Sequence, residues 1–175
     1  MHKRSKVFVD NIPDELKQIK QWVCWKYKKK MSKGVEKWTK PPCNVSGKII
    51  DAQSSANWVN FDDAVAAYDR DNKIAGVGLV LTAELGLVGI DLDDCIDDAG
   101  NLEPWAADIV RKIESYTEVS PSGKGLRIFV KGSLPGDSAG RKNDKIEMYT
   151  SGRYLTITGN VFIPEGGDNA VSNNK

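Results

Sequence analysis

Three aspartates stand close together at the end of an apolar segment in VGIDLDDC, residues 88 to 95. The pattern predicts a strand on which Asp91 and Asp93, two residues apart, point to the same face. Their Cβ atoms then lie roughly 7 Å apart, and carboxylates this close repel each other unless a cation lies between them. Mg²⁺ or Mn²⁺, which prefer oxygen ligands, would remove that repulsion. A strand end with solvated acids is the alternative, because D-x-D alone is a weak signal.

The glycine-rich segment SPSGKGLRIFV, residues 120 to 130, is the second candidate for chemistry. Its small residues leave backbone N–H groups accessible, which predicts a turn that binds phosphate oxygens. Arg127 adds a guanidinium that can contact a triphosphate through two hydrogen bonds. A tight turn with an exposed lysine is the alternative. The candidate nucleotide-binding residues of this segment are Ser120, Ser122, Gly123, Lys124, Gly125 and Arg127.

A third carboxylate, Glu147, lies in the segment KIEMYTSGRYLTITGN, residues 145 to 160. An acid in the middle of a predicted strand can complete a three-carboxylate metal site with Asp91 and Asp93, and the turn TSGR returns Arg153 toward it. A partly exposed strand acid followed by a surface hairpin is the alternative. Together the three segments predict a nucleotide and metal site, where two ions activate a 3′-hydroxyl and stabilise a leaving pyrophosphate.

The elements that must position these residues follow from hydrophobic periodicity and turn signals. Residues 76–82 and 87–92 are predicted to form a hairpin at the core of a sheet, and the helix over 60–71 begins after the N-cap Asn60. The fold class is therefore α+β, with a basic hairpin lobe followed by a mixed, mostly antiparallel sheet and covering helices. The other predicted helices are 12–20 and 103–116, the latter with Tyr116 on its buried face, and the other strands are 21–29, 35–42, 126–132, 145–151 and 153–159.

Charge is distributed unevenly along the 175 residues, although the net charge is only +1. Residues 1–50 carry a net charge of +9, residues 51–114 carry −10, and residues 115–175 carry +2. A basic first part beside an acidic middle is typical of a polyanion-binding surface next to a cation site. Solvated faces that offset each other are the alternative.

Cysteine and histidine usage limits the other classes of site. The three cysteines form no C-x-x-C pair, and His2 is the only histidine, so a structural zinc site is not expected. Sparse, odd cysteines favour a reducing cytoplasm. No apolar run is long enough to span a membrane, and the basic start lacks the apolar length of a signal peptide.

The order of the three motifs resembles the archaeo-eukaryotic primase superfamily, in particular the primase-polymerase domains of phage and plasmid replication proteins. That family carries a strand ending in D-x-D, here VGIDLDD, a Ser-Gly-x-Gly turn before a strand, here SPSGKGLRIF, and an acid on a later strand, here KIEMY. The resemblance covers about residues 12 to 163. It implies an RRM-like catalytic core at 76–163 after a basic N-terminal α/β lobe at 12–75. Composition adds a disordered basic start at 1–11 and a linker or artificial chain end at 164–175.

The resemblance implies a DNA primase and polymerase that transfers a nucleotidyl group from a dNTP or NTP to a 3′-hydroxyl on a DNA template. Asp91, Asp93 and Glu147 are the implied catalytic ligands of two Mg²⁺ or Mn²⁺ ions. Members of the family often precede a helicase domain in the full-length protein, and no membrane partner is expected.

The same resemblance implies that the basic hairpin binds nucleic acid or nucleotide. Lys26, Lys28 and Lys40 are the residues expected to contact phosphates of a template strand or of the nucleotide. Trp25 and Trp38 are interpreted as hairpin core rather than as platforms for stacking bases.

One position departs from the family pattern. The family has a histidine two residues after the second glycine of its second motif, where this chain has Arg127. Arginine keeps a permanent charge for phosphate but does not exchange a proton near neutral pH. Three functions therefore stay open: an active primase-polymerase, a catalytically weak nucleic-acid or nucleotide-binding module of the same fold, and a metal-dependent nuclease or D-x-D sugar-nucleotide enzyme.

Overall fold

A computed structural model of the chain describes residues 4 to 32 and 34 to 164. Within these residues, short helices separate runs of antiparallel strands, and the α+β fold class is confirmed. The helices are α1 (Asp14–Lys17), α2 (Phe61–Arg70) and α3 (Pro104–Ile113). The strands are β1 (Trp22–Trp25), β2 (Lys28–Ser32), β3 (Val35–Thr39), β4 (Pro42–Cys43), β5 (Gly76–Leu81), β6 (Leu87–Leu92), β7 (Tyr116–Val119), β8 (Leu126–Lys131), β9 (Gly140–Lys142), β10 (Ile146–Tyr149) and β11 (Arg153–Ile157).

The strands form three sheets within the described residues. A five-stranded sheet has the order β7-β8-β6-β10-β9, a four-stranded sheet has the order β11-β5-β1-β4, and β2 pairs with β3 as a separate hairpin. Helix α3 packs its buried residues Ala106 and Val110 against one face of the five-stranded sheet. The other face contacts the four-stranded sheet, because Phe129 and Tyr149 share a buried cluster with Leu155. The candidate site therefore lies on the face of the five-stranded sheet that is turned toward the four-stranded sheet.

The predicted hairpin of β5 and β6 is wrong, because the two strands belong to different sheets. A 3₁₀ turn at Ala83–Leu85 followed by Gly86 in the left-handed region redirects the chain from one sheet to the other. Close packing of the sheets depends on Gly89, where an added Cβ would overlap Leu155. The connection between β10 and β11 likewise leads from one sheet to the other, with Gly152 (φ of +70°) in the turn, so the alternative of a surface hairpin does not hold.

Two predicted elements also end earlier than expected. The strand predicted over 21–29 is divided into β1, which joins the four-stranded sheet, and β2, which joins the hairpin. Helix α3 ends where Glu114 adopts φ of +45°, so that Tyr116 lies in β7 rather than on the helix. Helix α2 agrees with its prediction, including the Asn60 N-cap, whose side-chain oxygen accepts a hydrogen bond from the Asp63 N–H at 2.8 Å.

Arg4 and Phe8, within the predicted disordered start at 1–11, contact α2 and the residue that follows β11. The Arg4 guanidinium lies 3.5 Å from the Tyr68 ring centroid, and the Phe8 N–H donates to the Thr158 carbonyl at 2.8 Å. The four-stranded sheet takes strands from both sides of residue 75, so the expected lobe boundary does not separate two sheets. Most of the predicted linker, residues 165–175, lies outside the described residues.

No helix in the described part of the chain is long and apolar enough to cross a membrane.

Candidate active site

Five charged side chains stand in one row across the five-stranded sheet. Strand register places them in the order Glu118, Arg127, Asp91, Glu147 and Lys142 on β7, β8, β6, β10 and β9. Signs alternate along the row except at Asp91 and Glu147, which are direct cross-strand neighbours of the same charge. Such neighbours have Cβ atoms about 4.5–5.5 Å apart and repel each other. The row therefore has one position where an added cation would be stabilised by two carboxylates.

Asp91 and Arg127 form an ion pair that is largely shielded from solvent. The distance between Arg127 Nη2 and Asp91 Oδ2 is 3.3 Å, and the two side chains are 7% and 16% exposed. Arg127 also donates to the hydroxyl of Thr156 on β11, which connects the row to the second sheet. The other oxygen, Asp91 Oδ1, is buried and has no hydrogen-bond partner among the described residues. One lone carboxylate oxygen is thus left without a donor beside Glu147.

Asp93 follows β6 directly and stays close to the row. Its N–H donates to the Lys145 carbonyl at 2.8 Å, which holds the turn against the start of β10. Partial burial and the neighbouring carboxylates of Asp91 and Glu147 raise the pKa of Asp93 above its usual range. This shift is what a shared electrostatic environment of three carboxylates produces.

Two neighbouring side chains fix the carboxylate of Glu147 in position. Its carboxylate is paired with Lys142 and accepts a hydrogen bond from the Tyr149 hydroxyl at 2.7 Å. Partial burial acts against ionisation, but these two contacts lower the pKa of Glu147 below its usual range. Within the described residues, no three potential ligands are already gathered around one point for a metal ion. Of the three predicted ligands, Asp91 and Glu147 are cross-strand neighbours that are each paired to a protein cation, and Asp93 lies within electrostatic range of both.

The Ser-Gly turn is joined to the aspartate strand by backbone hydrogen bonds. The N–H groups of Cys95 and Ile96 donate to the Lys124 carbonyl at 2.9 and 3.0 Å. Gly125 is required by this approach, because a Cβ there would lie 2.6 Å from the Leu92 carbonyl oxygen. Gly123, with φ of +77°, supplies the left-handed residue of the turn. The two predicted motifs therefore form one continuous surface.

The polar side chains of the turn point in different directions. The hydroxyls of Ser120 and Ser122 lie 2.9 Å apart. Lys124 is turned away from the row, since its ammonium pairs with Asp98 at 3.0 Å on the exposed side.

Arg153 lies within electrostatic range of Glu147 in the row. Its guanidinium lies 5.0 Å from the Tyr149 ring centroid. Together with Arg141 and Lys142 it lines a cleft of about 330 Å³ that has no carboxylate in its lining. Since Lys142 also pairs with Glu147, this cationic cleft opens beside the acidic pair.

Lys40 is the one predicted hairpin lysine that reaches the carboxylates. Burial and the nearby Arg127 lower its pKa, while Asp91 and Asp93 act in the opposite direction. The Tyr154 hydroxyl donates to the Lys40 carbonyl and fixes this segment to β11. Lys26 and Lys28 instead line a separate groove next to the hairpin.

Glu118 and Lys142 are members of the row that sequence reasoning missed. The Glu118 side chain is completely buried. Its carboxylate accepts hydrogen bonds from the Thr158 and Gly159 N–H groups at 2.8 and 2.9 Å, and from the Tyr116 hydroxyl at 2.7 Å. Burial raises its pKa, against the effect of these donors. The sequence did show an acid inside the short segment YTEV. Its place in the charged row, however, follows only from the strand register, which sets Glu118 opposite Arg127.

The candidate site thus consists of carboxylates flanked by cations, between two sheets and beside a Ser-Gly turn. Comparison with known proteins identifies the family. The chain is 39% identical over 154 residues to a DNA primase-polymerase from Nitratiruptor phage NrS-1. The alignment covers 84% of this chain and 20% of the phage protein, so the chain spans about a fifth of the length of that curated relative. The chain belongs to the primase-polymerase family, as its three motifs predicted.

No protein-family model matches the chain.

Proposed function

We propose that this domain is a DNA primase and polymerase that joins a dNTP or NTP to the 3′-hydroxyl of a strand on a DNA template. The observation that carries the proposal is the like-charged pair of Asp91 and Glu147, with one Asp91 oxygen buried and unpartnered. The relationship to a phage protein named DNA primase-polymerase supports it. Phage or plasmid replication is the corresponding cellular role.

The donor set fits a divalent metal ion. Asp91, Asp93 and Glu147 offer only carboxylate oxygens, the ligand type that Mg²⁺ and Mn²⁺ select. We infer that these three residues hold two such ions in the loaded enzyme, with the orphan Asp91 oxygen as the first ligand. Bound ions of this kind supply a lowered pKa for the attacking hydroxyl and charge neutralisation for the leaving group.

The protein groups around the carboxylates bind and orient the triphosphate. Backbone N–H groups of the Ser-Gly turn and the hydroxyls of Ser120 and Ser122 donate hydrogen bonds to phosphate oxygens on one side. The Arg153 guanidinium binds phosphate oxygens on the other side, from the cationic cleft beside Glu147. Lys40 adds a second cation, within electrostatic range of Asp91 and Asp93. The 3′-oxygen forms a bond to the α-phosphorus, pyrophosphate leaves with the electrons of the broken P–O bond, and the hydroxyl proton passes to water.

Arg127 favours a second candidate function, a catalytically weak module that binds nucleic acid or nucleotide. Its guanidinium is held between Asp91 and Thr156, where the family has a histidine, and it neutralises a carboxylate that the metal needs. In the active enzyme, Asp91 must divide its charge between Arg127 and the ion. In the weak module, the ion pair with Arg127 persists and turnover is lost.

Several finer assignments belong to the same proposal. The template and primer are DNA, with Lys26 and Lys28 as contacts to phosphates. A helicase domain follows in the full-length protein. The three cysteines are buried free thiols, as expected for an enzyme of the reducing cytoplasm.

Extension of a labelled primer on a DNA template tests the proposal. The wild type, Asp91→Asn, Glu147→Gln and the control Asp94→Asn are assayed with all four dNTPs, in Mg²⁺ and Mn²⁺ separately. Asp94 is a fair control because it is exposed, adjacent and outside the row, and its φ of +46° suits asparagine. Incorporation by the wild type and the control, lost in the two row variants, is expected. Binding without incorporation supports the weak module, and degradation of the primer supports a nuclease.

A further inference from the structure

The ion pair of Asp91 and Arg127 is only partly formed, because each partner keeps one polar atom without a contact. Asp91 Oδ2 accepts a hydrogen bond from Arg127 Nη2 at 3.3 Å. Asp91 Oδ1 and Arg127 Nε are both buried and have no hydrogen-bond partner among the described residues. Two parallel hydrogen bonds from the planar guanidinium to the carboxylate would satisfy both atoms, but they are not made. The carboxylate therefore still attracts a cation, and the guanidinium still attracts an anion.

The second sheet fixes Arg127 in this position. Arg127 Nη1 donates to the carbonyl oxygen of Thr156 at 3.3 Å and also to the Thr156 hydroxyl. The Arg127 side chain is 7% exposed, so water screens its charge only weakly. Arginine also keeps its proton throughout the ordinary pH range. A permanent positive charge therefore stays beside Asp91 whether or not a metal ion is bound.

Cationic side chains already offset the charge of the candidate metal ligands. Among the described residues, the cations that act on Asp91, Asp93 or Glu147 are Lys40, Arg127, Lys142 and Arg153. The exposed Asp94 adds one further negative charge beside Asp93. A divalent ion alone therefore adds positive charge to a site that is already compensated. A divalent ion bound to a nucleoside triphosphate carries a net negative charge, and the site complements that complex better than it complements the bare ion.

We propose that Arg127 couples the binding of metal ion and nucleotide at this site. With no triphosphate bound, the positive charge of Arg127 lowers the affinity of Asp91 for a divalent ion. A bound triphosphate removes this effect, because its negative charge offsets that of Arg127. Since coupling between two ligands is reciprocal, the ion strengthens nucleotide binding by the same factor. This inference rests on the proposed function, which supplies Asp91 as a metal ligand and a triphosphate as the substrate.

Binding of Mn²⁺ to the full chain, with no nucleotide or DNA present, tests the effect of Arg127 on the ion. The electron paramagnetic resonance signal of free Mn²⁺ reports the bound fraction. Arg127→Gln should bind Mn²⁺ more tightly than the wild type by about 5-fold to 150-fold, the usual range of coupling between two ligands. Adding Asp91→Asn to Arg127→Gln should abolish this gain. A merely structural role for Arg127 predicts weaker binding by Arg127→Gln, not tighter binding.

Two control variants separate charge from packing in the same titration. Arg127→Lys keeps the positive charge, so its affinity for Mn²⁺ should stay close to that of the wild type. Arg111→Gln removes an exposed charge on α3, and its affinity for Mn²⁺ should be unchanged.

Fluorescence polarisation of a labelled α,β-imido dNTP, which the protein cannot incorporate, tests the reciprocal effect. Its dissociation constant is measured in EDTA and in Mn²⁺ for the wild type and for Arg127→Gln. Mn²⁺ should strengthen nucleotide binding more in the wild type than in the variant, again by about 5-fold to 150-fold. Association of the ion with the nucleotide in solution is the same for both proteins, so the ratio of the two effects reports the contribution of Arg127.

The outcomes separate this inference from the proposed function. Coupling in a protein that never extends a primer refutes only the proposed function. Primer extension by the wild type, with Mn²⁺ affinity that Arg127→Gln leaves unchanged or lowers, overturns only the inference. An equal gain of Mn²⁺ affinity in Arg127→Lys and Arg127→Gln also overturns it, because the charge is then not the cause.

Circular dichroism melting shows whether each variant is folded at the temperature of the assay. Arg127→Met removes the same charge, and its Mn²⁺ affinity replaces that of Arg127→Gln if the glutamine variant is unfolded. If both are unfolded, the wild type decides. Mn²⁺ that leaves its nucleotide binding unchanged overturns the inference, and Mn²⁺ that strengthens it by at least about 5-fold supports the inference.

Discussion

Replacing Arg127 by glutamine should destabilise the protein strongly, because Arg127 is the only cation between Glu118 and Asp91 in the charged row. At 3.3 Å, the Asp91–Arg127 attraction is about 5 kcal/mol with an effective dielectric constant near 20. Desolvation offsets part of this, and removing one partner of a buried pair typically costs about 3–5 kcal/mol. For a chain of this size, that loss lowers Tm by roughly 6–20 °C.

A double-mutant cycle measures the pair itself. Free energies of unfolding by urea are compared for the wild type, Arg127→Gln, Asp91→Asn and the double variant. The coupling energy should be about 1–3 kcal/mol, as for other residues in direct contact. Arg111→Gln is the control, since the Arg111–Asp108 pair on α3 is 67% and 60% exposed and should contribute less than about 1 kcal/mol. A coupling below about 0.5 kcal/mol would show that Arg127 does not pair with Asp91, and would refute the charged row as described.

Three further predictions follow from the site. Gly125→Ala should cost about 1–3 kcal/mol and reduce incorporation more than Gly123→Ala, because only Gly125 packs against the Leu92 carbonyl; equal loss in both assays would contradict this. The pKa of Asp93 is higher in the folded protein than its usual value of 3.8. Its contribution to the free energy of unfolding of the metal-free protein is therefore fully present below pH 3.8 and is lost as the pH rises through the pKa of the folded state. Asp93→Asn should therefore stabilise the metal-free protein against urea at neutral pH but not below pH 3.8, and no difference at either pH would oppose the prediction. Glu118→Gln should lower stability by about 3–5 kcal/mol, measured by urea unfolding, because an amide nitrogen cannot accept the hydrogen bonds that the carboxylate receives; a neutral effect would contradict it.

Strand positions were predictable where the alternation of side chains is strong, but strand partners were not. The segments 76–82 and 87–92 were correctly predicted as strands and incorrectly joined as a hairpin. Their short connection favours local pairing, whereas the left-handed Gly86 and the sheet contact at Gly89 depend on tertiary packing. Local sequence carries little information about which sheet a strand joins.

The candidate site shows the same limit. Asp91 and Glu147 were predicted from residue type and from their place in apolar segments, and the structure makes them cross-strand neighbours. Glu118 was missed because its role depends entirely on lying opposite Arg127. The Arg127 side chain was assigned to phosphate, whereas the structure pairs it with Asp91, an interaction that only the strand register reveals.

Single-turnover addition of one labelled dNMP to a primer, in Mn²⁺, tests the central claim most directly. The wild type is compared with Asp91→Asn, which removes one charge and retains the shape of the side chain. If the carboxylate row is the catalytic centre, the rate of addition should fall by at least about a hundredfold in the variant, while its affinity for single-stranded DNA stays the same. Equal rates for the wild type and Asp91→Asn would contradict the account.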